Sequence, residues 1–276
     1  MLEIGKYHIL RVLRETRVGC YLGDREGNEV LLPSKYVPAG TKEGDSLSVF
    51  IYRDGEERLI ATTQTPLVLL HHFARLQVKM ITQIGAFLDW GLDKDLLVPF
   101  REQAERMVTG KSYLVYLYQD EETGRLTASA QIKKFLSLPP DTVSEGDEVE
   151  VMGWEASPLG MKVIVDQLYA GLIFESELFA PLLPGEIRKG YVLKVREEGK
   201  IDISLRKPGY ASIEGEAAQL LEALQANAGF LPLTDHSDPE EIRSRLAMSK
   251  KSFKKAVGLL YKSRRIRLET DGIYLV

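Results

Sequence analysis

The amino-acid sequence predicts a multidomain, mainly β protein: three tandem five-stranded barrels of the OB-fold type, followed by an α+β winged-helix domain. Three observations lead to this prediction. A pattern of short apolar strands recurs along most of the 276-residue chain. Helical periodicity replaces that pattern near the C-terminus, and a tight-turn signal, Asp271-Gly272, follows the last helical segment.

The recurrence is an internal duplication that needs no gaps. A shift of 66 residues places Gly19-Cys20-Tyr21-Leu22 on Gly85-Ala86-Phe87-Leu88. The same shift places Leu31-Leu32-Pro33 on Leu97-Val98-Pro99. Because a match of this length indicates tandem copies of one structural unit, the sequence predicts repeated small domains.

The first two units are predicted at residues 1–62 and 65–137. Five short strands with one longer connection fit an OB-type barrel in each unit. In the first unit the predicted strands are Ile9–Leu13, Gly19–Leu22, Glu29–Leu32, Ser46–Tyr52 and Leu59–Thr62. In the second they are Leu76–Ile81, Gly85–Leu88, Leu96–Val98, Ser112–Tyr118 and Arg125–Ala130, with a helical turn expected over Glu102–Met107.

A third, divergent barrel is predicted at residues 141–209, after Pro139-Pro140. It carries more acidic than basic residues. Its strands are expected to begin near Gly146 and to include Gly160–Val165, Gly171–Leu178, Val192–Val195 and Lys200–Leu205.

The winged-helix domain is predicted at residues 212–276. Apolar spacing indicates helices over Glu214–Ala226 and Ser249–Lys262. Between them, Ser237-Asp238-Pro239 is a helix start that should lead to an end near Leu246. A two-stranded hairpin, Ile266–Glu269 and Ile273–Val276, completes the arrangement of three helices and a wing.

Composition and motifs argue against several classes of function. The net charge is −4, and the single cysteine, Cys20, fits a small buried strand residue in a reducing compartment. The first ten residues are too polar for a signal-peptide core, and the apolar runs are too short and polar to span a bilayer. We therefore expect a cytoplasmic protein without a membrane partner.

The motifs of enzymes and metal sites are missing from the sequence. Gly110-Lys111-Ser112 imitates the end of a phosphate-binding loop, but Glu105 occupies the position of the earlier glycine. The segment also leads into a predicted strand, whereas a phosphate-binding loop opens a helix. The four histidines lack partners at metal-ligand spacing. The sequence therefore predicts a non-catalytic protein with no cofactor and no bound metal.

Basic residues are concentrated near the C-terminus. All ten basic residues of the segment 210–276 lie between Arg243 and Arg267, with no acidic residue among them. Such a face suits phosphate contacts, although it would also suit a solubilising surface on a protein-binding domain. The candidate nucleic-acid-binding residues of the winged helix are Lys250, Lys251, Lys254, Lys255, Arg264, Arg265 and Arg267.

The barrels supply a second set of candidates. Tyr21 and Phe87 occupy equivalent positions, from which an aromatic ring could stack on unpaired bases; the alternative is that both are ordinary core residues. Basic residues nearby could hold phosphates, although any one of them could equally be a solvated surface charge. The full candidate set is Tyr21, Lys35, Arg58, Lys79, Phe87, Phe100, Arg101 and Arg125.

Two segments also resemble a known domain. Gly171–Leu178 resembles the GLVHISEL-like strand, and Gly85–Asp89 the GAFVD strand, of the RNA-binding domain first described in ribosomal small-subunit protein one. The whole chain resembles the conserved virulence factor B family of bacterial RNA-binding regulators. This resemblance implies cytoplasmic RNA binding that affects gene expression after transcription, with no known catalytic chemistry.

The chain departs from the pattern of that domain at two positions. The histidine usual in the third strand is replaced by Pro33, Pro99 and Phe174 in the three units, and the aromatic of the second strand becomes Lys162 in the third. The third barrel is therefore expected to serve as a spacer or docking element at least as readily as an RNA contact.

The sequence thus predicts a non-catalytic protein that binds single-stranded RNA through tandem barrels and a basic winged helix, and regulates gene expression post-transcriptionally. Two other hypotheses stay open. One is a transcriptional regulator that binds duplex DNA, and the other is a scaffold that docks on the ribosome or the polymerase. A protein partner could bind through the third barrel or the winged helix.

Overall fold

The protein is described here by a computed structural model. The structure describes residues 2–178, 180–206 and 213–276. The chain forms two compact units, Met1–Phe135 and Leu136–Val276. Within the described residues, no helix is both long enough and apolar enough to cross a membrane.

Five short strands form the first barrel, which is closed. Its hydrogen-bonded order is β1-β2-β3-β5-β4, with one parallel contact, between β3 and β5. Alternate residues of β2 point into the barrel, which buries Cys20 and Leu22 among the core side chains. The strands are β1 (Tyr7–Thr16), β2 (Gly19–Gly23), β3 (Glu29–Pro33), β4 (Ser46–Arg53) and β5 (Leu59–Thr62).

The second barrel repeats this arrangement. Its strands are β6 (Phe73–Ile81), β7 (Gly85–Asp89), β8 (Leu96–Pro99), β9 (Ser112–Gln119) and β10 (Leu126–Ser129). The order β10-β9-β6-β7-β8 matches the first barrel, except that the described residues form no hydrogen-bonded ladder between β8 and β10. The duplication predicted from the 66-residue shift is therefore a duplication of fold.

Close approach of the backbone explains the glycine that begins the second strand of each barrel. Gly19, Gly85 and Gly160 all have φ in the positive region that side chains disfavour, at 142°, 155° and 137°. A Cβ atom at Gly85 would collide with the carbonyl oxygen of Val98 on the neighbouring strand, and the equivalent collision occurs at the other two glycines. Glycine is therefore required at this position of the repeat.

The helical turn expected over Glu102–Met107 is wrong in position. A single 3-10 turn occupies Phe100–Glu102, directly after β8, and Gln103 returns to an extended conformation. The Gln103 side chain replaces the expected helical bonds, because it donates to the carbonyl of Val98 at 3.1 Å and accepts from the amide of Met107 at 3.2 Å.

The third barrel is closed and has the same order, β11-β12-β13-β15-β14. Its strands are β11 (Glu148–Ser157), β12 (Gly160–Val165), β13 (Tyr169–Phe174), β14 (Ile187–Val195) and β15 (Ile201–Ser204). The strand expected over Gly171–Leu178 is too long. Phe174 already pairs with Gly160, the first residue of β12, so the ladder ends there and Glu175–Glu177 forms a 3-10 turn.

The C-terminal domain is a winged helix with one strand more than predicted. Its helices and strands are α1 (Ile213–Ala226), β16 (Phe230–Leu231), α2 (Pro239–Leu246), α3 (Lys250–Lys262), β17 (Ile266–Glu269) and β18 (Gly272–Leu275). The wing is a three-stranded sheet of order β16-β18-β17, not the expected two-stranded hairpin. A two-residue strand is too short to produce an alternating pattern.

The start of α2 follows the predicted signal. The Asp238 side chain caps the helix by accepting a hydrogen bond from the amide of Glu240 at 2.8 Å, and Pro239 occupies the first turn. Ser249 caps α3 in the same way through the amide of Ser252. The buried face of α3, which includes Phe253 and Leu260, packs in the domain core.

The first two barrels share a hydrophobic core. Phe50 and Tyr52 of β4 belong to the same buried cluster as Trp90, which follows β7. The Trp90 ring meets both of them edge to face, with centroid distances of 5.8 and 6.2 Å. Such aromatic contacts, together with the area they bury, join the two barrels into one packed body.

Candidate nucleic-acid interface

An outward-facing position on the second strand is equivalent in all three barrels. Tyr21, Phe87 and Lys162 occupy it, each half-buried and each flanked by inward-facing neighbours. The residue directly opposite on the third strand is a leucine in every barrel, namely Leu31, Leu97 and Leu172. The three barrels therefore present the same apolar strip beside this position.

A β-bulge on the first strand places two further residues beside this position. Each first strand shifts register at the same point, between Val12 and Arg14, Val78 and Met80, and Gly153 and Glu155. A bulge sets two residues of one strand against one of its partner and redirects their side chains. The bulged residues that result are Leu13, Lys79 and Trp154.

These positions give every barrel one aromatic ring and one cation, in different arrangements. In the first barrel the guanidinium carbon of Arg14 lies 4.2 Å from the centroid of Tyr21. The second barrel has Lys79 at the bulge and Phe87 on the second strand. The third barrel exchanges the two types, because Trp154 occupies the bulge and the Lys162 ammonium nitrogen lies 5.7 Å from its ring centroid.

Trp154 is not among the residues predicted from the sequence. The aromatic of the second strand becomes Lys162 in the third barrel, and the ring lies instead at the bulge of the neighbouring strand. The available signal was a fixed spacing, since the bulged residue lies six positions before the glycine that begins the second strand in every repeat. Half-buried Trp154 gives the third barrel an aromatic surface that the pattern of the second strand alone does not reveal.

Each of the predicted basic residues of the barrels forms an ion pair with an acidic neighbour. The partners are Asp93 for Lys35, Asp54 and Glu56 for Arg58, Asp89 and Asp95 for Lys79, Asp120 for Arg101, and Glu57 for Arg125. The cation of each pair is exposed, and ion pairs at the surface contribute little to stability. A phosphate would have to replace or join these carboxylates.

The structure brings only some of the barrel candidates together. Phe87 and Arg125 line one cavity, at the junction of the first two barrels. Lys35 and Arg58 line a second depression beside it. Phe100 is 47% exposed and lies with Arg101 in the 3-10 turn after β8, where Arg101 pairs with Asp120 at 3.3 Å.

The basic residues of the winged helix differ in whether their side chains have a hydrogen-bond or ion-pair partner. The Lys250 ammonium donates to the carbonyl of Ser237 at 2.8 Å, so Lys250 anchors the loop before α2. Lys254 lies 3.7 Å from the carboxylate of Asp235, and Arg267 lies 3.7 Å from that of Glu269. Within the described part of the chain, no carboxylate pairs with the four remaining candidates, Lys251, Lys255, Arg264 and Arg265.

Two of these unpaired cations share one face of α3. Lys251 and Lys255 are both exposed and are separated by one helical turn. The helix contains no acidic residue, whereas its opposite face is buried through Phe253, Ala256 and Val257. In helix-turn-helix domains the corresponding helix is the one that contacts nucleic acid. The arrangement gives the C-terminal domain a positive face of fixed geometry.

Comparisons with known proteins agree with this architecture. A family model described as an S1 domain matches residues 4–64 and 72–131, which are the first two barrels. A second model, described as a CvfB-like winged helix domain, matches residues 218–275. The chain therefore carries two S1 domains and a CvfB-like winged helix domain.

The similarity to known proteins extends over most of the chain. It is 29% identical to protein YitL of Bacillus subtilis strain 168, over 98% of this chain and 93% of that protein. It is 27% identical to conserved virulence factor B of Staphylococcus aureus strain N315, over 84% of this chain and 80% of that protein. S1 and winged-helix domains are nucleic-acid-binding modules, and the chain is a nucleic-acid-binding protein.

A solved structure covers a similar span. It is a crystal structure of a multidomain protein with nucleic acid binding domains from Streptococcus pneumoniae TIGR4. The sequences are 22% identical, the TM-score is 0.42, and the comparison covers 99% of this chain and 98% of the other.

Proposed function

We propose that this protein binds single-stranded RNA in the cytoplasm and regulates gene expression after transcription, without catalysing a reaction. In this proposal the domains are residues 1–62, 65–137, 141–209 and 212–276. The barrels supply aromatic rings, and the winged helix supplies most of the electrostatic attraction. We propose the aromatic and basic residues predicted from the sequence for these two roles.

The observation that carries the proposal is the unpaired positive face of the winged helix. The protein has a net charge of −4, so nonspecific attraction by the whole molecule would not favour RNA. Lys251 and Lys255 nevertheless stand on one face of α3 without acidic partners among the described residues. Phosphates can bind there without displacing a carboxylate.

The preference for unpaired RNA rests on the barrels. Tyr21 and Phe87 are only half-buried, and each presents part of its ring on the outward face of a twisted sheet. Bases stack on such rings only when they are free of a duplex, and each stack contributes about 1–3 kcal/mol. An A-form duplex keeps its bases stacked inside the helix and offers the rings nothing.

Several weak contacts on one chain can add to a strong one. Because the modules are linked, binding by one raises the effective concentration of the others for the same strand. A long single strand is therefore expected to bind more tightly than a strand that reaches only one module.

The direct test is a competition measured by fluorescence anisotropy on the full chain. A labelled single-stranded RNA of about 16 nucleotides is displaced by unlabelled RNA or by duplex DNA of equal length. We expect unlabelled RNA to displace the labelled strand at a concentration about tenfold lower than duplex DNA requires. The double variant Lys251→Glu and Lys255→Glu should lose affinity and show a shallower dependence on salt, since fewer counterions are released.

A matched control makes the same change of charge elsewhere. Lys42 and Lys200 lie in the first and third barrels, are exposed, and belong to neither set of candidates. The double variant Lys42→Glu and Lys200→Glu should bind much as the wild type does. Tighter binding of duplex DNA would favour the transcriptional-regulator hypothesis. Negligible affinity for either nucleic acid at physiological salt would favour the protein scaffold.

A further inference from the structure

The exposed face of α3 carries a glycine where almost any other residue would make the helix more stable. Gly258 lies inside α3, is exposed, and has a backbone conformation open to other residues. A Cβ atom there would meet no atom within 4 Å. Glycine in a helix interior is less stable than alanine, because it loses more backbone freedom on folding. Neither packing nor backbone conformation therefore requires a glycine at this position.

The residue that follows the cap of α3 shows the opposite mismatch. Arg264 has a φ of 56°, in the left-handed region that glycine occupies most readily. Its amide donates to the carbonyl of Tyr261 at 3.0 Å, and the amide of Arg265 donates to the carbonyl of Leu260 at 2.9 Å. This is the Schellman motif, in which glycine is the usual left-handed residue. An exchange of the residue types of Gly258 and Arg264 would thus stabilise both positions.

Long side chains surround Gly258 on the helix surface. The four residues that lie three or four positions away are all exposed, namely Lys254, Lys255, Tyr261 and Lys262. Residues at these spacings are nearest neighbours on a helix. The missing side chain therefore leaves a depression on α3 whose rim is mostly basic.

We infer that Gly258 is a position of close approach, at which the sugar–phosphate backbone of a bound RNA strand crosses α3. Without a Cβ atom in the way, the strand reaches the backbone of the helix. The neighbouring ammonium groups then contact phosphates on both sides of the crossing, and Arg264 adds a cation beyond the end of the helix. The inference rests on the proposed function, because it specifies how the winged helix would hold RNA.

The composition of α3 favours a contact with the backbone of RNA over a contact with its bases. The helix contains no arginine, asparagine or glutamine, the side chains that bind guanine or adenine edges through two hydrogen bonds. Its lysines carry a compact charge that suits phosphate oxygens. We therefore expect the contact at Gly258 to be independent of RNA sequence, unlike that of a recognition helix that reads base edges in a DNA groove.

The decisive variant is Gly258→Ala, because it should stabilise the domain while it weakens RNA binding. The added methyl group favours the helix, so the α3 amides of the full chain should exchange hydrogen about threefold more slowly. The same group holds the strand away from the helix, so the affinity of the full chain for a uridine decanucleotide should fall about threefold or more. The affinity for an adenosine decanucleotide should fall by the same factor.

Arg264 supplies a second test with the same opposition of stability and binding. Arg264→Gly should relieve the left-handed backbone and slow hydrogen exchange of the α3 amides. It should also weaken RNA binding, since a cation is lost. Arg264→Lys keeps the charge and should bind RNA within about twofold of the wild type.

Ala247 provides the matched control for a gain in stability. It ends α2 in the same left-handed conformation, with a φ of 50°, and belongs to neither set of candidates. Ala247→Gly should stabilise the domain and leave RNA affinity unchanged. This comparison shows whether added stability by itself weakens binding.

The outcomes separate this inference from the proposed function. RNA binding by the wild type with equal affinity for Gly258→Ala would overturn the close approach and keep the proposed function. A loss of affinity confined to one of the two RNA sequences would overturn the backbone contact. No RNA binding by the wild type would overturn both the inference and the proposed function.

Discussion

A single backbone contact makes Gly85 irreplaceable at the residue scale. Replacement by alanine would set a Cβ against the carbonyl of Val98 while φ stays at 155°. We expect Gly85→Ala to lower the free energy of unfolding by about 2 kcal/mol or more, from strain and steric overlap together. Chemical denaturation of the full chain measures this change in the free energy of unfolding.

Gly55 provides the control for that measurement. It lies in the turn between β4 and β5, and a Cβ there would meet no atom within 4 Å. Gly55→Ala should leave stability unchanged or raise it slightly by restricting the unfolded chain. Equal effects of the two substitutions would show that the close approach at Gly85 does not determine its identity.

Trp154 makes the third barrel testable by the same reasoning. In a Trp90→Phe background the intrinsic emission comes from Trp154 alone. If the ring beside Lys162 stacks on bases, saturating single-stranded RNA should quench that emission, and Trp154→Leu should weaken binding about fivefold or more. Emission that stays constant at saturation would contradict stacking on Trp154 and favour a spacer role for the third barrel.

At the scale of elements, the short strand β16 is predicted to support the wing. Leu231 is 4% exposed and belongs to the domain core, whereas Leu268 on β17, the far strand of the same sheet, is 44% exposed. Leu231→Ala should destabilise the winged helix by about 3 kcal/mol, and Leu268→Ala by well under 1 kcal/mol. Hydrogen exchange of α1 and α3 amides would report the difference within the full chain.

The ion pair between Lys35 and Asp93 makes the stability of the first two barrels depend on pH. The Lys35 ammonium is the largest cause of a lowered pKa for Asp93, whose ordinary value is 3.8. A carboxylate with a lowered pKa stabilises the fold above its unfolded value and loses that contribution as pH falls through the folded value. The contribution is therefore fully present at neutral pH and is lost progressively as pH falls below 3.8, through the lowered pKa of Asp93.

Asp93→Asn should consequently reduce stability at pH 7 and reduce it less at about pH 3, because the wild-type carboxylate loses its stabilising contribution as pH falls through its lowered pKa. Denaturant titrations at the two pH values measure the difference. The exposed Asp141 serves as control, and Asp141→Asn should leave the pH profile unchanged. A constant difference between wild type and Asp93→Asn at both pH values would exclude this coupling.

The elements that sequence reasoning predicted best are those with a strong periodic or stereochemical signal. The strands that begin at Gly19, Gly85 and Gly160 all appear at those residues, because only glycine allows the approach of the next strand. The cap at Asp238 and the proline after it likewise determine the start of α2. Signals that act between neighbouring residues are visible in a single sequence.

The features that sequence reasoning missed depend on tertiary contacts. The turn at Phe100–Glu102 replaces the expected helix because the Gln103 side chain bonds to the backbone of Val98 and Met107. β16 exists because the edge of β18 is available to pair with it. The carboxylate partner of each barrel cation could not be predicted either, since Lys35 and Asp93 lie in different repeats.

The charge distribution and the ring positions act together only in the whole molecule. The aromatic positions recur at the same register in the three barrels, whereas the candidate cations without an acidic partner among the described residues lie in the C-terminal domain. In the proposed function, base stacking therefore belongs to the barrels and most of the salt-dependent attraction to the winged helix.

One measurement tests this division most directly: the affinity of the full chain and of a chain shortened after Pro208 for one labelled single-stranded RNA, each at about 50 and 200 mM salt. We expect the shortened chain to lose most of the affinity and most of the salt dependence, and to keep a weak contact with the RNA that Phe87→Ala removes. Equal affinity and equal salt dependence of the two chains would contradict it, because the RNA would then be held by the barrels alone.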